Sequence, residues 1–318
     1  MVDVNLVLAA DIGGTNSRFG VYEGNGAVMK KMAGAWLATG ESDSFAQLLE
    51  RLRTTSMQPY LGNLRAAVFA VAGPVERGNY SAPVYIDWTI AASTAEDFLG
   101  AQTVLINDFV AQAYACRALP GKRAKTVLAG EADQLGTVAV IGAGTGLGQA
   151  ALVPLPGGRF HAVPSEGGHG AFPFVGEEEQ EFRRWYEKQL HTGYVTLCDL
   201  LSGRGLAAIH FFVTGRKSEP PEVSRLLPEH PAVRDLFARF YGRACRDYAL
   251  NVLATGGVYV AGGVAAKNPD CISCGAFATE FHASHTMAHL LEKMPVLLMD
   301  DQESGLWGAA LLAGQQAR

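Results

Sequence analysis

Asp11-Ile12-Gly13-Gly14-Thr15-Asn16 is the most informative segment of this sequence, and it lies between the apolar runs 6–10 and 18–22. A second stretch of the same kind is Gly142-Ala143-Gly144-Thr145-Gly146-Leu147-Gly148, between the apolar runs 138–141 and 149–153. Each pattern of strand, tight glycine turn and strand predicts a β-hairpin. Glycine tolerates positive φ and lets backbone N–H groups approach an anion closely. The two turns together therefore predict a cradle for a polyphosphate.

Neither stretch fits the better-known phosphate loops. Neither of them ends in the Gly-Lys-Ser/Thr of a P-loop. The second also fails the dinucleotide-binding fingerprint G-x-G-x-x-G, because Leu147 occupies the third glycine position counted from Gly142. Both stretches are followed by a strand-like run rather than by a helix. The alternative interpretation is a pair of plain hairpin turns, but the acid at the head of the first turn and the threonine in each argue against it.

The composition is that of a globular protein with room for two ordinary domains: 318 residues, 48% hydrophobic and 18% charged. A net charge of −5 without a Lys/Arg cluster argues against a nucleic-acid partner. We expect no membrane span, because no apolar run reaches about 20 residues. We also expect no signal peptide, because residues 1–4 carry no basic residue.

The cysteines are few and scattered. Five of them, an odd number, suit reduced thiols in a cytoplasm. Cys271 and Cys274 form a C-x-x-C without a second pair. The spacing favours two ordinary thiols over a zinc or redox site.

Strand-like and helix-like segments alternate along the chain, which predicts an α/β fold. Helical patterns cover 44–53, 109–118, 177–189, 233–253 and a closing segment from 304. Buried strand patterns cover 65–72, 103–106 and 258–261. The segment 218–221 has the composition of a loop. One glycine hairpin opens the chain and another follows near residue 138. This recurrence suggests two halves, each built on a hairpin-led sheet.

Polar side chains stand where predicted strands end. Asp11 is suited to hold Mg²⁺ beside the phosphates, the alternative being an Asx turn. Asn107 and Asp108 lie between a strand and a helix, at the carboxyl end where α/β proteins bind ligands. Asp108 is suited to accept the proton of an attacking hydroxyl, with a pKa that the helix N-terminus should hold low. Asn107 is suited to bind neighbouring hydroxyls; the alternative is that both residues are helix N-caps.

Two further glycine-rich segments carry candidate ligands. Glu166 and His169 are separated only by glycines, so both can point at the vicinal hydroxyls of one sugar; a metal site and a surface turn are the alternatives. Gly262 and Gly263 follow the strand pattern 258–261, where they would let a flat adenine lie against the backbone. Close strand–helix packing is the alternative for that glycine pair.

Taken in order, these motifs resemble the actin-like ATPase and sugar-kinase superfamily, and closely the bacterial glucokinase family. The resemblance runs from Ala10 to Gly308 and includes Leu201-Ser202-Gly203. It implies two actin-like (ribonuclease H-like) α/β domains around a central cleft, a small one of residues 1–110 with 302–318 and a large one of 111–301. It also implies phosphoryl transfer from ATP to the 6-hydroxyl of glucose, with Mg²⁺, in a cytoplasmic homodimer.

The resemblance implies a role for each motif residue. Asp108 is similar to the catalytic base of the family, and Asn107, Glu166 and His169 are similar to its sugar ligands. The residues implied for ATP are Asp11 (also the metal ligand), Gly13, Gly14, Thr15, Asn16, Gly142, Gly144, Thr145 and Gly146 at the phosphates, and Gly262 and Gly263 at the adenosine.

The sequence departs from the family in two places. His191 aligns where the family usually has a second sugar-binding Glu, and Val84-Tyr85 replaces the usual Thr-Asn before Trp88. A site built to hydrogen-bond hydroxyls discriminates strongly when one partner changes, so the preferred sugar can differ. A non-catalytic sugar-binding or regulatory protein on the same scaffold is the alternative. A chaperone-type ATPase or filament protein is disfavoured, because it would not need the Asn107-Asp108 and Glu166-His169 pairs.

Overall fold

The structure, a computed structural model, describes residues 5–24, 28–118 and 124–317. The start of the chain, residues 1–4, lies outside that range. The strands are β1 Asn5–Ile12, β2 Asn16–Gly24, β3 Met29–Ala38, β4 Leu64–Val71, β5 Tyr80–Ser81, β6 Ile90–Ala91, β7 Gln102–Asn107, β8 Lys125–Leu128, β9 Val138–Ala143, β10 Leu147–Leu155, β11 Arg159–Ser165, β12 Val258–Ala261 and β13 Val296–Leu298.

The helices alternate with these strands, as the sequence predicted for an α/β fold. They are α1 Phe45–Glu50, α2 Ala92–Leu99, α3 Asp108–Ala118, α4 Gly176–Leu190, α5 Leu197–Leu200, α6 Gly203–Thr214, α7 Pro220–Leu226, α8 Pro231–Val252, α9 Gly263–Lys267, α10 Asp270–Ser273, α11 Gly275–His282, α12 Ala288–Leu291 and α13 Ser304–Gln316. Along the parts of the chain that are described, no helix has the length and apolar character needed to cross a membrane.

The chain forms two compact units. The first consists of Met1–Arg123, Pro154–Ala162 and Asp301–Arg318, and the second of Ala124–Val153 and Val163–Asp300. The division expected between residues 110 and 111 would cut α3 after its third residue. The first unit instead keeps all of α3, because helix α13 packs along it.

The first sheet has the strand order β3-β2-β1-β4-β7. Strand β1 pairs antiparallel with β2 and parallel with β4, and β4 pairs parallel with β7. Strand β4 is a nearly continuous buried apolar run, as expected of a central strand covered on both faces. Because β1, β4 and β7 are parallel, their carboxyl ends meet at one edge of the sheet.

The second sheet has the order β11-β10-β9-β12-β13-β8 and repeats this arrangement. Strand β9 pairs antiparallel with β10 and parallel with β12, and β12 pairs parallel with β13. The added strand β8 pairs antiparallel with β13 at the edge. Both predicted glycine hairpins are therefore present, each at the centre of its own sheet.

Two local predictions differ from the structure. The segment 218–221, predicted as a loop, contains the start of α7, because Pro220 and Pro221 occupy the first helical turn, where a missing N–H costs nothing. The helix predicted over 44–53 is α-helical only to Glu50 and then tightens into a 3₁₀ turn over Arg51–Thr54. Cys271 is buried in the core of the second unit and Cys274 is partly buried, both as unpaired thiols.

Candidate active site

The first glycine turn joins β1 to β2 and is fixed by Thr39. The Thr39 hydroxyl donates to the Gly13 carbonyl at 2.7 Å, and the Thr39 N–H donates to the Thr15 carbonyl at 3.0 Å. Within the turn, the Gly13 N–H donates to the Asn16 carbonyl. Thr39 thus hydrogen-bonds two carbonyl groups of the turn, while Thr15 and Asn16 are exposed to solvent. This geometry suits a turn that offers backbone N–H groups to an anion.

The glycines of this turn are required for space rather than for positive φ, which corrects the sequence-based reason. The positive-φ glycines of the described chain include neither Gly13 nor Gly14. A Cβ on Gly14 would lie 2.8 Å from the Cβ of Tyr85, a distance that no folded protein tolerates without a shift. Tyr85 therefore packs directly on the turn, and the residue is 66% exposed.

Asp11 stands near the carboxyl end of β1, opposite Arg18 on β2. Arg18 Nη1 donates to Asp11 Oδ2 at 3.1 Å, and the guanidinium is stacked 4.6 Å from the centre of the Trp36 ring. Burial raises the pKa of Asp11, against the opposing effect of Arg18. A Cβ on Gly305, at the start of α13, would lie 3.3 Å from Asp11 Oδ2. Arg18 therefore orients the carboxylate, and the backbone at Gly305 lies close to it.

Asn107 and Asp108 join β7 to α3, at the same sheet edge as Asp11. The Phe109 N–H donates to Asn107 Oδ1 at 2.8 Å and to Asp108 Oδ1 at 3.0 Å. Asn107 Nδ2 donates to the Gly73 carbonyl at 3.1 Å. The helix-cap interpretation of Asn107 is correct, and the cap leaves one lone pair of Asn107 Oδ1 for a ligand.

The environment of Asp108 raises its pKa to about 6. Burial is the largest cause, and the Asp11 carboxylate adds to it, whereas the hydrogen bonds from Phe109 and Asn107 act in the opposite direction. The sequence-based expectation of a low pKa was wrong, because desolvation and a like charge outweigh the helix N-terminus. The first unit thus brings together the first glycine turn, Asp11, Asn107 and Asp108.

The second glycine turn joins β9 to β10 and lies beside Gly262. Gly144 N–H donates to the Gly146 carbonyl at 2.8 Å, and Gly144 and Thr145 are exposed. Ala261 pairs with Gly142, so β12 ends next to this turn. Gly262 has a φ of 88°, and a Cβ there would lie 2.5 Å from the Ala143 carbonyl oxygen. Close backbone approach makes Gly262 irreplaceable, whereas Gly263 faces open space.

Glu166 precedes the 3₁₀ turn Gly167–His169 of the second unit, and His169 is the last residue of that turn. Glu166 Oε2 and His169 Nε2 are 3.7 Å apart, and the two side chains are 77% and 71% exposed. Among the described residues, no group of three or more His, Cys, Asp or Glu side chains is arranged to hold a metal. Two exposed polar side chains at this distance suit the adjacent hydroxyls of a small ligand.

The structure places Cys198, rather than His191, against these turns. His191 ends α4 with a φ of 53°, is exposed, and donates its backbone N–H to the Glu187 carbonyl. The contacts of the described chain do not tie its side chain to Glu166 or His169. Cys198 instead accepts from the Leu147 N–H at 3.2 Å and lies beside Gly146 and Gly168. Sequence reasoning missed Cys198, because a lone cysteine in a short helix carries no pattern.

Two compact units with the same hairpin-led sheet, each with a glycine turn at its centre, define the actin-like ATPase fold of sugar kinases. A family profile described as Glucokinase matches residues 8–316, so the chain belongs to the glucokinase family. It is 31% identical over 324 residues to the glucokinase of Pseudomonas aeruginosa, covering 98% of this chain and 95% of that protein.

Solved structures agree with this assignment. A glucokinase from an Antarctic psychrotroph superposes with a TM-score of 0.85 at 26% identity, covering 97% of this chain and 98% of that one. A ROK family glucokinase from Streptomyces griseus, in complex with glucose and AMPPNP, has a TM-score of 0.61 at 21% identity, covering 98% and 100%. The second likeness shows the fold alone.

Proposed function

We propose that this protein transfers the γ-phosphoryl group of ATP to the 6-hydroxyl of D-glucose. Membership of the glucokinase family over nearly the whole chain supports the reaction. The Streptomyces griseus structure, with glucose and AMPPNP bound, supports this pair of substrates. The observation that carries the proposal is Asp108, a carboxylate at a strand end whose pKa lies near 6.

Asp108 is the proposed general base. The 6-hydroxyl oxygen forms a bond to the γ-phosphorus, the bond from that phosphorus to the ADP oxygen breaks, and the hydroxyl proton passes to the Asp108 carboxylate. A carboxyl group with a pKa near 6 is ionised at neutral pH, yet it is a stronger base than an ordinary aspartate. The Phe109 N–H holds the carboxylate in one orientation.

The sugar ligands that we propose are Asn107, Glu166 and His169. Asn107 keeps one acceptor lone pair after capping α3. Glu166 supplies acceptors for two adjacent hydroxyls, and His169 supplies a ring nitrogen 3.7 Å from it. The role predicted for His191 stays a prediction that the described contacts do not support.

The two glycine turns are proposed to bind the phosphates of ATP, and Gly262 and Gly263 to border the adenosine. Mg²⁺, held by Asp11, would neutralise charge on the phosphates. The donor set fits this ion: a single oriented carboxylate, with phosphate and water oxygens to complete the coordination. The closeness of Asp11 and Asp108, which raises the pKa of Asp108, favours a cation there.

We also propose that the protein is a cytoplasmic homodimer. The unpaired state of its five cysteines supports a reducing compartment. Sedimentation velocity at micromolar concentration tests the dimer. A single species with the mass of one chain, 33.8 kDa, would contradict it.

The experiment that tests the function is sugar-dependent release of ADP from ATP and Mg²⁺. D-glucose should stimulate ADP release, and the product should carry the phosphate on its 6-hydroxyl. The same assay with mannose, fructose and galactose measures whether another hexose is preferred, and L-glucose serves as the control. If no hexose stimulates ADP release while glucose still binds, the protein is a sugar-binding or regulatory member of the fold instead.

A further inference from the structure

One short segment of the second unit touches both of its functional turns. We refer to residues 196–203 as the α5 segment. Leu197 N–H donates to the Gly170 carbonyl, just after the turn that carries Glu166 and His169, at 3.1 Å. Gly203 N–H donates to the Gly144 carbonyl of the second glycine turn, also at 3.1 Å. The α5 segment therefore bridges the proposed sugar turn and the proposed phosphate turn.

The Cys198 side chain fills the space between the two turns. Its Sγ accepts from the Leu147 N–H at 3.2 Å, and its S–H donates to the Leu147 carbonyl at 3.5 Å. A Cβ on Gly146 would lie 3.3 Å from the sulfur, and one on Gly168 would lie 2.9 Å from it. The sulfur is thus in close contact with one glycine of each turn. Neither turn can move toward the α5 segment without displacing it.

The position of Cys198 is fixed by its own helix. Thr196 and Asp199 form a capping box around it: the Asp199 N–H donates to Thr196 Oγ1, and the Thr196 N–H donates to Asp199 Oδ2, each at 3.0 Å. The Tyr186 hydroxyl also donates to the Asp199 carbonyl at 3.1 Å. A side chain on so well anchored a segment can transmit a displacement of one turn to the other.

We propose that Cys198 is a positioning residue that couples sugar binding at the Glu166–His169 turn to nucleotide binding at the Gly144–Gly146 turn. The inference rests on the proposed function, because it takes the sugar and the nucleotide as the two ligands. Coupling between ligands is reciprocal, so glucose should tighten the nucleotide and the nucleotide should tighten glucose by the same factor. The sulfur carries this coupling because it contacts both turns directly and holds the backbone of Leu147.

The test is the ratio of AMPPNP dissociation constants without and with saturating glucose, measured by calorimetry with Mg²⁺. In the native protein, glucose should tighten AMPPNP. In Cys198→Ala, which removes both sulfur hydrogen bonds, the ratio should fall by about fivefold. Cys198→Ser keeps a donor and an acceptor at the same atom, so its ratio should lie between the two. Cys274→Ala, at the other partly buried thiol of this unit, is the matched control and should keep the native ratio.

A second measurement uses the native protein alone. Glucose without nucleotide should slow hydrogen exchange in the peptide that contains the Leu147 amide. Unchanged exchange, a native ratio in Cys198→Ala, or an equal loss in Cys274→Ala would each overturn the coupling role. These results are distinguishable from failure of the proposed function, which would appear as absence of hexose-dependent ADP release in the native protein.

Discussion

At the scale of single residues, Asp108 shows how one side chain acquires a property that its neighbours in sequence do not explain. Its place at the first position of α3 favours a low pKa, because a helix N-terminus stabilises negative charge. Burial and the Asp11 carboxylate, which reaches the same edge on another strand, raise the pKa to about 6. The residue is thereby suited to accept a proton at neutral pH.

Asp108→Asn is expected to lower turnover at least ~100-fold, the scale of losing a general base, while AMPPNP binding persists. The same change should raise the melting temperature at pH 7. Because the pKa of Asp108 rises from 3.8 to about 6 on folding, its ionised form costs stability above pH 6, and this cost disappears as pH falls toward 4. Steady-state kinetics and thermal denaturation measure the two effects. Asp97→Asn, at an exposed carboxylate of α2, is the control. Near-native turnover in Asp108→Asn would exclude Asp108 as the base.

The pH dependence of kcat/KM should follow the ionisation of Asp108. We expect activity to fall with unit slope below about pH 6, because protonation removes the base. Asp11→Asn should move this limb to lower pH in the turnover that remains, since it removes a charge that raises the pKa of Asp108. An acid limb near pH 4 in the native enzyme would show instead that Asp108 ionises like an exposed aspartate.

His191→Gly is expected to stabilise the protein by about 0.5–1 kcal/mol, because glycine adopts the left-handed conformation at the end of α4 more easily. The KM for glucose should stay unchanged if the side chain makes no sugar contact. Leu253→Gly, at the end of α8 with a φ of 48°, is the matched control for the backbone effect. A large rise in the glucose KM confined to His191→Gly would restore His191 as a sugar ligand.

Among the elements, helix α13 packs on α3, the helix that begins with the proposed base Asp108. Gly308 of α13 lies so close to α3 that a Cβ would collide with the Ala111 carbonyl oxygen and lie 2.8 Å from the Ala115 nitrogen. Trp307 of the same helix packs edge-on against Tyr22 of β2, with ring centres 4.9 Å apart. The closing helix therefore fixes the position of α3, whose first residue is Asp108.

Gly308→Ala should destabilise the protein by about 1–3 kcal/mol, the usual cost of overpacking, because α3 and α13 must separate. Turnover should fall as well, since α3 carries Asp108. Thermal denaturation and steady-state kinetics test both effects. Gly275→Ala, at the start of α11 where a Cβ meets open space, provides the comparison and should be nearly neutral. Equal stability of the two variants would contradict the tight contact.

At the scale of the whole molecule, the repeated sheet explains why two similar glycine turns occur far apart in the sequence. In each sheet the turn follows the central strand, β1 in one and β9 in the other, at the carboxyl ends of the parallel strands. The candidate residues fall into one set for each unit, and the proposed reaction uses both sets.

Ligands that bind the folded protein should stabilise it as a whole. At 100 times its dissociation constant, D-glucose should add about 2.7 kcal/mol to the free energy of unfolding. AMPPNP with Mg²⁺ should raise the melting temperature further. Thermal denaturation with L-glucose at the same concentration is the control. No difference between the enantiomers would argue against a specific hexose site.

Local sequence patterns are enough to predict the two hairpins, the α/β alternation and the place of Asn107 and Asp108 between a strand and a helix. These features are local, because glycine turns and hydrophobic periodicity depend on residues that are neighbours in the chain. The family and the main site motifs could also be predicted, since each motif is a short continuous stretch.

Three features require the folded chain: the raised pKa of Asp108, the need for glycine at position 14 and the position of Cys198. Each depends on groups distant in sequence: Asp11 beside Asp108, Tyr85 on Gly14, and Leu147 beside Cys198. Desolvation and close packing arise only when the folded chain brings such groups together, so no local pattern of residues encodes them.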